Sequence, residues 1–169
     1  MRPVVIIVGP PGAGKTTVAG TIADRLGVLA RDSDADIEAA TGMTIADIFI
    51  EQGESRFREL ETEAIGTAIA EHDGVLSLGG GAVIRPETRD LLRTEKVVFL
   101  DVGLAAAVKR VGMNANRPLL LGNVRSKLKV LMDERRPLYQ DVATYTIVTD
   151  DLDADEVAAR VLELIGEGL

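Results

Sequence analysis

Residues 9–16 read Gly-Pro-Pro-Gly-Ala-Gly-Lys-Thr, the G-x-x-x-x-G-K-[ST] spacing of a loop that wraps phosphate. Each residue type has a physical reason to be there. Glycines let the backbone curl until its N–H groups converge on phosphate oxygens, and a helix opening inside the loop adds its positive end. Lys15 can reach the β- and γ-phosphates, and the Thr16 hydroxyl is a hard oxygen ligand for Mg²⁺. The context agrees. The β-branched run Val4–Val8 precedes the loop, and Val18, Ile22 and Leu26 follow at helical spacing. The motif specifies a nucleotide phosphate and leaves the reaction open.

The remaining chemistry is spread along the chain. Asp32 and Asp34 flank Ser33 at the expected end of a second strand. One acid there can order the water around Mg²⁺, and the other can accept a proton from an acceptor hydroxyl. A solvated turn or helix cap is the plainer alternative. Arg58 and Glu61, three apart, share a helix face. They are either a surface ion pair or a guanidinium fork offered to a carboxylate and oriented by Glu61. Phe57 is expected in the core. Gly79-Gly80-Gly81 costs conformational entropy that a plain turn does not require, so it marks a close approach of backbone to ligand. Arg117 lies in an aperiodic stretch, where a lid arginine over the transferring phosphates competes with a solvated one. Of the pair Arg135-Arg136, Arg136 is the candidate for a second positive group facing an anionic substrate. Arg110 either stacks near adenine or suits a helix C-terminus.

The elements that must position these residues alternate. Strands are expected at Val4–Val8, Val28–Ala30, Gly74–Leu78, Val97–Leu100 and Thr144–Val148. Helices are expected at Thr16–Leu26, over most of Asp34–Glu71, at Pro86–Arg93, Leu104–Arg110 and Arg125–Tyr139, and from an Asp153/Glu156 cap onward with Val157, Val161, Leu162 and Ile165 inward. Thr41-Gly42 and Gly53 interrupt the long helical stretch, with Thr44 and Asp47 forming a cap that restarts it. Gly112–Val124 reads as a mobile loop, and His72 as a solvated loop residue. Strand–helix alternation predicts an α/β fold: a five-stranded parallel sheet with helices on both faces, its ligands beyond the carboxyl ends of the strands.

Composition sets the outer limits. At 169 residues the chain suits one domain, and 46% hydrophobic content with only 3% aromatics calls for an aliphatic core. A formal charge of −8 opposes general nucleic-acid binding. With no cysteine, disulfide scaffolds, thiol catalysis and Cys-ligated zinc are excluded. The first apolar run is too short to span a membrane, so a cytoplasmic protein with no membrane partner is expected.

Taken in order, Gly9–Thr17, Asp32-Ser33-Asp34, Phe57-Arg58 with Glu61, Leu78-Gly79-Gly80-Gly81-Ala82, Arg117-Pro118-Leu119-Leu120 and Arg136-Pro137-Leu138-Tyr139 resemble the shikimate kinase family, and the wording is similar to its actinobacterial members. The resemblance implies a three-layer P-loop kinase fold in a single domain and a monomer. An acceptor-binding helical segment would occupy about 33–61 and a lid about 112–124. It implies transfer of the ATP γ-phosphate to the 3-hydroxyl of shikimate, with Mg²⁺ as cofactor. By the same resemblance Gly12, Ala13, Gly14, Lys15, Thr16 and Thr17 would bind ATP phosphates, with Arg110 near adenine. Thr16 would ligate Mg²⁺ directly and Asp32 through water. Lys15, Asp34 and Arg117 would be catalytic. Asp34, Arg58, Gly79, Gly80, Gly81 and Arg136 would hold shikimate, the two arginines clamping its carboxylate. A gluconate or nucleotide kinase of the same fold, or a nucleotide-binding module without catalysis, are the rivals.

Overall fold

The structure, a computed structural model, describes residues 2–114 and 121–167. Five strands, β1 (Val5–Val8), β2 (Ala30–Asp32), β3 (Val75–Ser77), β4 (Val97–Asp101) and β5 (Tyr145–Val148), form one parallel sheet in the order β2-β3-β1-β4-β5. Between and around them run α1 (Lys15–Leu26), α2 (Ser33–Thr41), α3 (Ile45–Glu71), α4 (Pro86–Leu92), α5 (Leu104–Asn114), α6 (Leu121–Val142) and α7 (Ala154–Glu167).

The side-chain alternation of a strand explains the three layers. On β1, Val5 and Ile7 face one core with Val18 and Ile22 of α1 and Val157, Val161 and Ile165 of α7. Ile6 and Val8 face the other, with Ile65 of α3, Leu92 of α4 and Tyr139 of α6. A strand buried on both faces reads as an unbroken apolar run, which is why β1, β3 and β4 were legible in the sequence. A third, smaller cluster of Ile37, Ile48 and Phe57 gives α2 and the start of α3 a core of their own. Among the described residues, no helix is long and apolar enough to cross a membrane.

Helix α6 makes the crossing that matters most for the site. Its early residues Leu128 and Met132 pack in the first core, and its late residues Tyr139 and Val142 in the second. The turn between them therefore passes over the carboxyl ends of the strands.

Four expectations are corrected. The second strand is Ala30–Asp32 instead of Val28–Ala30; it is a short edge strand, with Ala30 exposed, and lacks the buried run that marks the central ones. Gly112 to Asn114 continue α5, and Leu121 to Val124 open α6, so both ends of the expected loop are helical; its middle lies outside the described residues. Helix α6 runs through Pro137 to Val142, beyond the expected end at Tyr139. His72 is buried, with Nε2 3.1 Å from the carbonyl oxygens of both Leu29 and Val75, where it ties the β2 side of the sheet to β3. The breaks are as expected. Gly53 has φ 85° and ψ 165° inside α3, and Thr44 caps α3 by accepting from Asp47 N–H at 3.1 Å.

Candidate active site

The loop after β1 is a cradle of left-handed glycines. Gly12 and Gly14 have φ 83° and 81°, which side chains with a Cβ rarely adopt. Gly12 is also pressed against α5: a Cβ there would sit 2.9 Å from the Ala107 carbonyl oxygen. Gly14 precedes α1 without any side-chain cap, so the first N–H groups of that helix face outward beside Thr16 and Thr17, both exposed. Lys15 Nζ folds back to donate to the Pro10 carbonyl at 3.1 Å. Burial pulls its pKa down to about 8, against the opposing pull of Asp34 and Asp32. A half-buried ammonium beside an open helix N-terminus is an arrangement that gains from an arriving polyphosphate.

Asp32 ends β2 and caps α2. Its Oδ1 accepts from Asp34 N–H at 2.8 Å, and its Oδ2 accepts from the Thr16 hydroxyl at 3.3 Å. A hydroxyl and a carboxylate at that spacing, next to the phosphate cradle, fit Mg²⁺, which takes most of its ligands from phosphate and water. Among the described residues there is no cluster of three or more metal-ligating side chains that would suggest a metal held by protein alone.

Arg110, on α5, donates to the Gly12 carbonyl at 3.2 Å and to Thr149 Oγ1 and O at 3.1 and 2.8 Å. It lines a hollow of about 250 Å³ with Ala13, Thr17, Leu152 and Val157. The hollow lies beside the cradle, sharing Ala13, Gly14 and Thr17 with it.

On the opposite side the acceptor residues converge. Asp34, in the first turn of α2, is half-buried, and its Oδ1 has no partner. Desolvation raises its pKa and Asp32 adds to that, while Lys15 and Arg58 pull it back. A Cβ on Gly79 would lie 2.7 Å from that same oxygen. Arg58 Nη1 donates to Glu61 Oε1 at 2.9 Å, with side chains only 12% and 2% exposed, so the pair is not on the surface. Burial raises the Glu61 pKa, and Arg58 opposes it. The Arg58 guanidinium lies 5.2 Å from the Phe57 ring centroid and 5.9 Å from that of Phe49, and its Nε has no partner. A Cβ on Gly81 would meet both terminal nitrogens of Arg58 at 2.4 Å, so glycine at 81 is what lets the guanidinium lie against the loop.

Arg136 is not part of this group. Its Nη1 contacts Asp101 Oδ1 and Oδ2 at 2.5 and 2.6 Å, at the end of β4. The cation that faces the acceptor residues is its neighbour. Arg135 Nη1 lies 3.6 Å from the position of a Cβ on Gly80, and its charge acts on Lys15, Glu61 and Tyr139. The reason is helical phase. Leu128, Met132, Tyr139 and Val142 are the inward stripe of α6, and Arg135 continues it at a spacing of 3 and 4, while Arg136 points about 100° away. That stripe was the available signal in the sequence. Arg117 lies outside the described residues.

A parallel sheet in this order, with a glycine-rich phosphate loop after its central strand, defines the P-loop kinase fold. The shikimate kinase family model matches residues 11–166. Shikimate kinases of Salinispora tropica and Saccharopolyspora erythraea are 52% and 50% identical, each over 98% of this chain and over 99% and 95% of their own. A solved shikimate kinase of Acinetobacter baumannii in complex with shikimate superposes with a TM-score of 0.90 at 39% identity, covering 99% of this chain and 94% of that one. The chain belongs to the shikimate kinase family.

Proposed function

We propose that this protein transfers the γ-phosphate of MgATP to the 3-hydroxyl of shikimate, giving shikimate 3-phosphate and ADP. The observation that carries this reading is the unpartnered Asp34 Oδ1, set between the Lys15 side of the cradle and the guanidinium groups of Arg58 and Arg135. A buried acceptor and a buried Arg58 donor left unpaired are groups that a hydroxylated carboxylate satisfies.

In this reading Arg58 and Arg135 clamp the carboxylate, which fixes the ring so that its hydroxyl meets Asp34. Asp34 accepts the hydroxyl proton as the oxygen bonds to the γ-phosphorus and the bond to the ADP oxygen breaks. Lys15 and the N–H groups of residues 12–17 neutralise charge on the phosphates, and Arg117 would join them from the lid. Thr16 would hold Mg²⁺ directly and Asp32 through water, and the ion would supply neutralisation of phosphate charge. A monomer acting on a free small acid in the cytoplasm completes the proposal.

The test is ADP release measured with shikimate, gluconate and nucleoside monophosphates as acceptors. Turnover confined to shikimate is expected. Turnover with another acceptor and none with shikimate would overturn the reading, and nucleotide binding without any turnover would favour a non-catalytic module.

A further inference from the structure

Tyr139 has no part in the chemistry above, yet it is among the largest fully buried side chains of the fold. Its ring stacks on Phe99, with centroids 5.0 Å apart and planes at 28°. Its hydroxyl reaches out of the core to donate to the Gly80 carbonyl oxygen. Arg135, one turn earlier on α6, lies beside the same hydroxyl. Burial raises the phenol pKa to about 12, so it stays a proton donor at any working pH.

The glycine loop is otherwise held at its flanks. Gly79 N–H donates to Ser33 Oγ at 3.2 Å, Ala82 N–H to the Gly79 carbonyl at 3.0 Å, and Ile84 N–H to the Gly81 carbonyl at 3.1 Å. The Gly80–Gly81 peptide has no such flanking bond. Among the described residues, neither the Gly80 nor the Gly81 N–H has an acceptor. A peptide between two glycines rotates cheaply, since no Cβ opposes it. The unit is planar and trans, so fixing the Gly80 C=O toward Tyr139 turns the Gly81 N–H the opposite way.

We infer that Tyr139 is a positioning residue for the acceptor: its hydroxyl fixes the Gly80–Gly81 peptide and backs Arg135, so that loop and guanidinium meet the acceptor's anionic group as one preset donor surface. The inference rests on the acceptor pocket assigned under the proposed function and adds a residue that touches no substrate.

Tyr139→Phe removes one oxygen and keeps the ring against Phe99. The expected result is a rise of about tenfold in KM for shikimate, the effect of losing one buried hydrogen bond, with KM for MgATP within about twofold. A hydroxyl that merely stabilises the fold would lower Tm and leave the KM ratio unchanged, and that result, or equal rises for both substrates, overturns the inference. Wild-type turnover with shikimate, measured alongside, separates this failure from failure of the acceptor assignment. Two readouts need no turnover. In ¹⁵N-glycine-labelled protein the Phe variant is expected to broaden or double the Gly80 and Gly81 amide signals, and unchanged single signals overturn the inference. Should the Phe variant not fold, 3-fluorotyrosine at 139 keeps the hydroxyl; its ¹⁹F signal is expected to shift with shikimate and not with MgATP alone, and a signal indifferent to shikimate overturns it.

Discussion

Replacing Arg135 and Arg136 one at a time separates two neighbouring cations with the same chemistry and different surroundings. Arg135 faces Gly80 and the acceptor pocket, and Arg136 is paired with Asp101, their side chains 18% exposed on the aspartate and 36% on the arginine. A charge-assisted hydrogen bond to a substrate carboxylate contributes about 1.5–3 kcal/mol, so Arg135→Ala should raise KM for shikimate by about 10- to 150-fold. Binding of MgATP should change little, because the phosphate cradle is built from other residues. Arg136→Ala breaks a half-exposed ion pair, which contributes up to about 1 kcal/mol, so its effect on KM should stay below about fivefold and appear mainly in Tm. Steady-state kinetics in both substrates, with a thermal melt of each variant, measures all of this. If Arg136→Ala weakens shikimate more than Arg135→Ala does, the helical-phase argument is wrong.

Three further outcomes follow from the geometry. Gly81→Ala places a methyl 2.4 Å from the Arg58 guanidinium, which Glu61 holds in place, so it should raise KM for shikimate while sparing MgATP, and equal effects on both would contradict the contact. Lys15 has its pKa lowered to about 8 by burial, so the folded chain binds fewer protons than the unfolded one from about pH 8 to its ordinary pKa of 10.5, and its contribution to stability rises with pH across that window. Phosphate restores the proton, so calorimetry of ADP binding at pH 8.5 in buffers of different ionisation enthalpy should show proton uptake, and buffer-independent heats would refute it. Asp34 has its pKa raised, so kcat/KM for shikimate should fall on the acid side at a pH above the usual carboxylate range, and Asp34→Asn should abolish turnover while keeping MgATP affinity.

The nucleotide half of the site was legible because its determinants are contiguous. Gly9 to Thr16 carry backbone conformation, dipole and charge in one stretch, and β1, β3 and β4 announce themselves as apolar runs. The acceptor half is assembled from α2, α3, the glycine loop and α6, so residue type could be read and facing could not. Arg135 and Arg136 differ only by the phase of α6, and that phase is set by Leu128, Met132 and Tyr139 changing cores across the sheet. Arg58 and Glu61 could not be separated from a surface pair by spacing, and the covering role of the glycine loop decided it. His72 looked solvated because its partners, Leu29 and Val75, are brought to it only by the β2–β3 pairing. Strand β2 was misplaced for the opposite reason, being too short and too exposed to leave an apolar pattern.

In the proposed reaction Asp34, Arg58 and Arg135 present one hydroxyl of shikimate to the phosphate held by Lys15. Phosphorus NMR of the purified protein with MgATP and shikimate tests it in one spectrum. A phosphomonoester signal coupled to the proton on C3, growing in step with ADP, is the expected result. ADP formed without that signal, or a phosphate on another position or another acceptor, would contradict it.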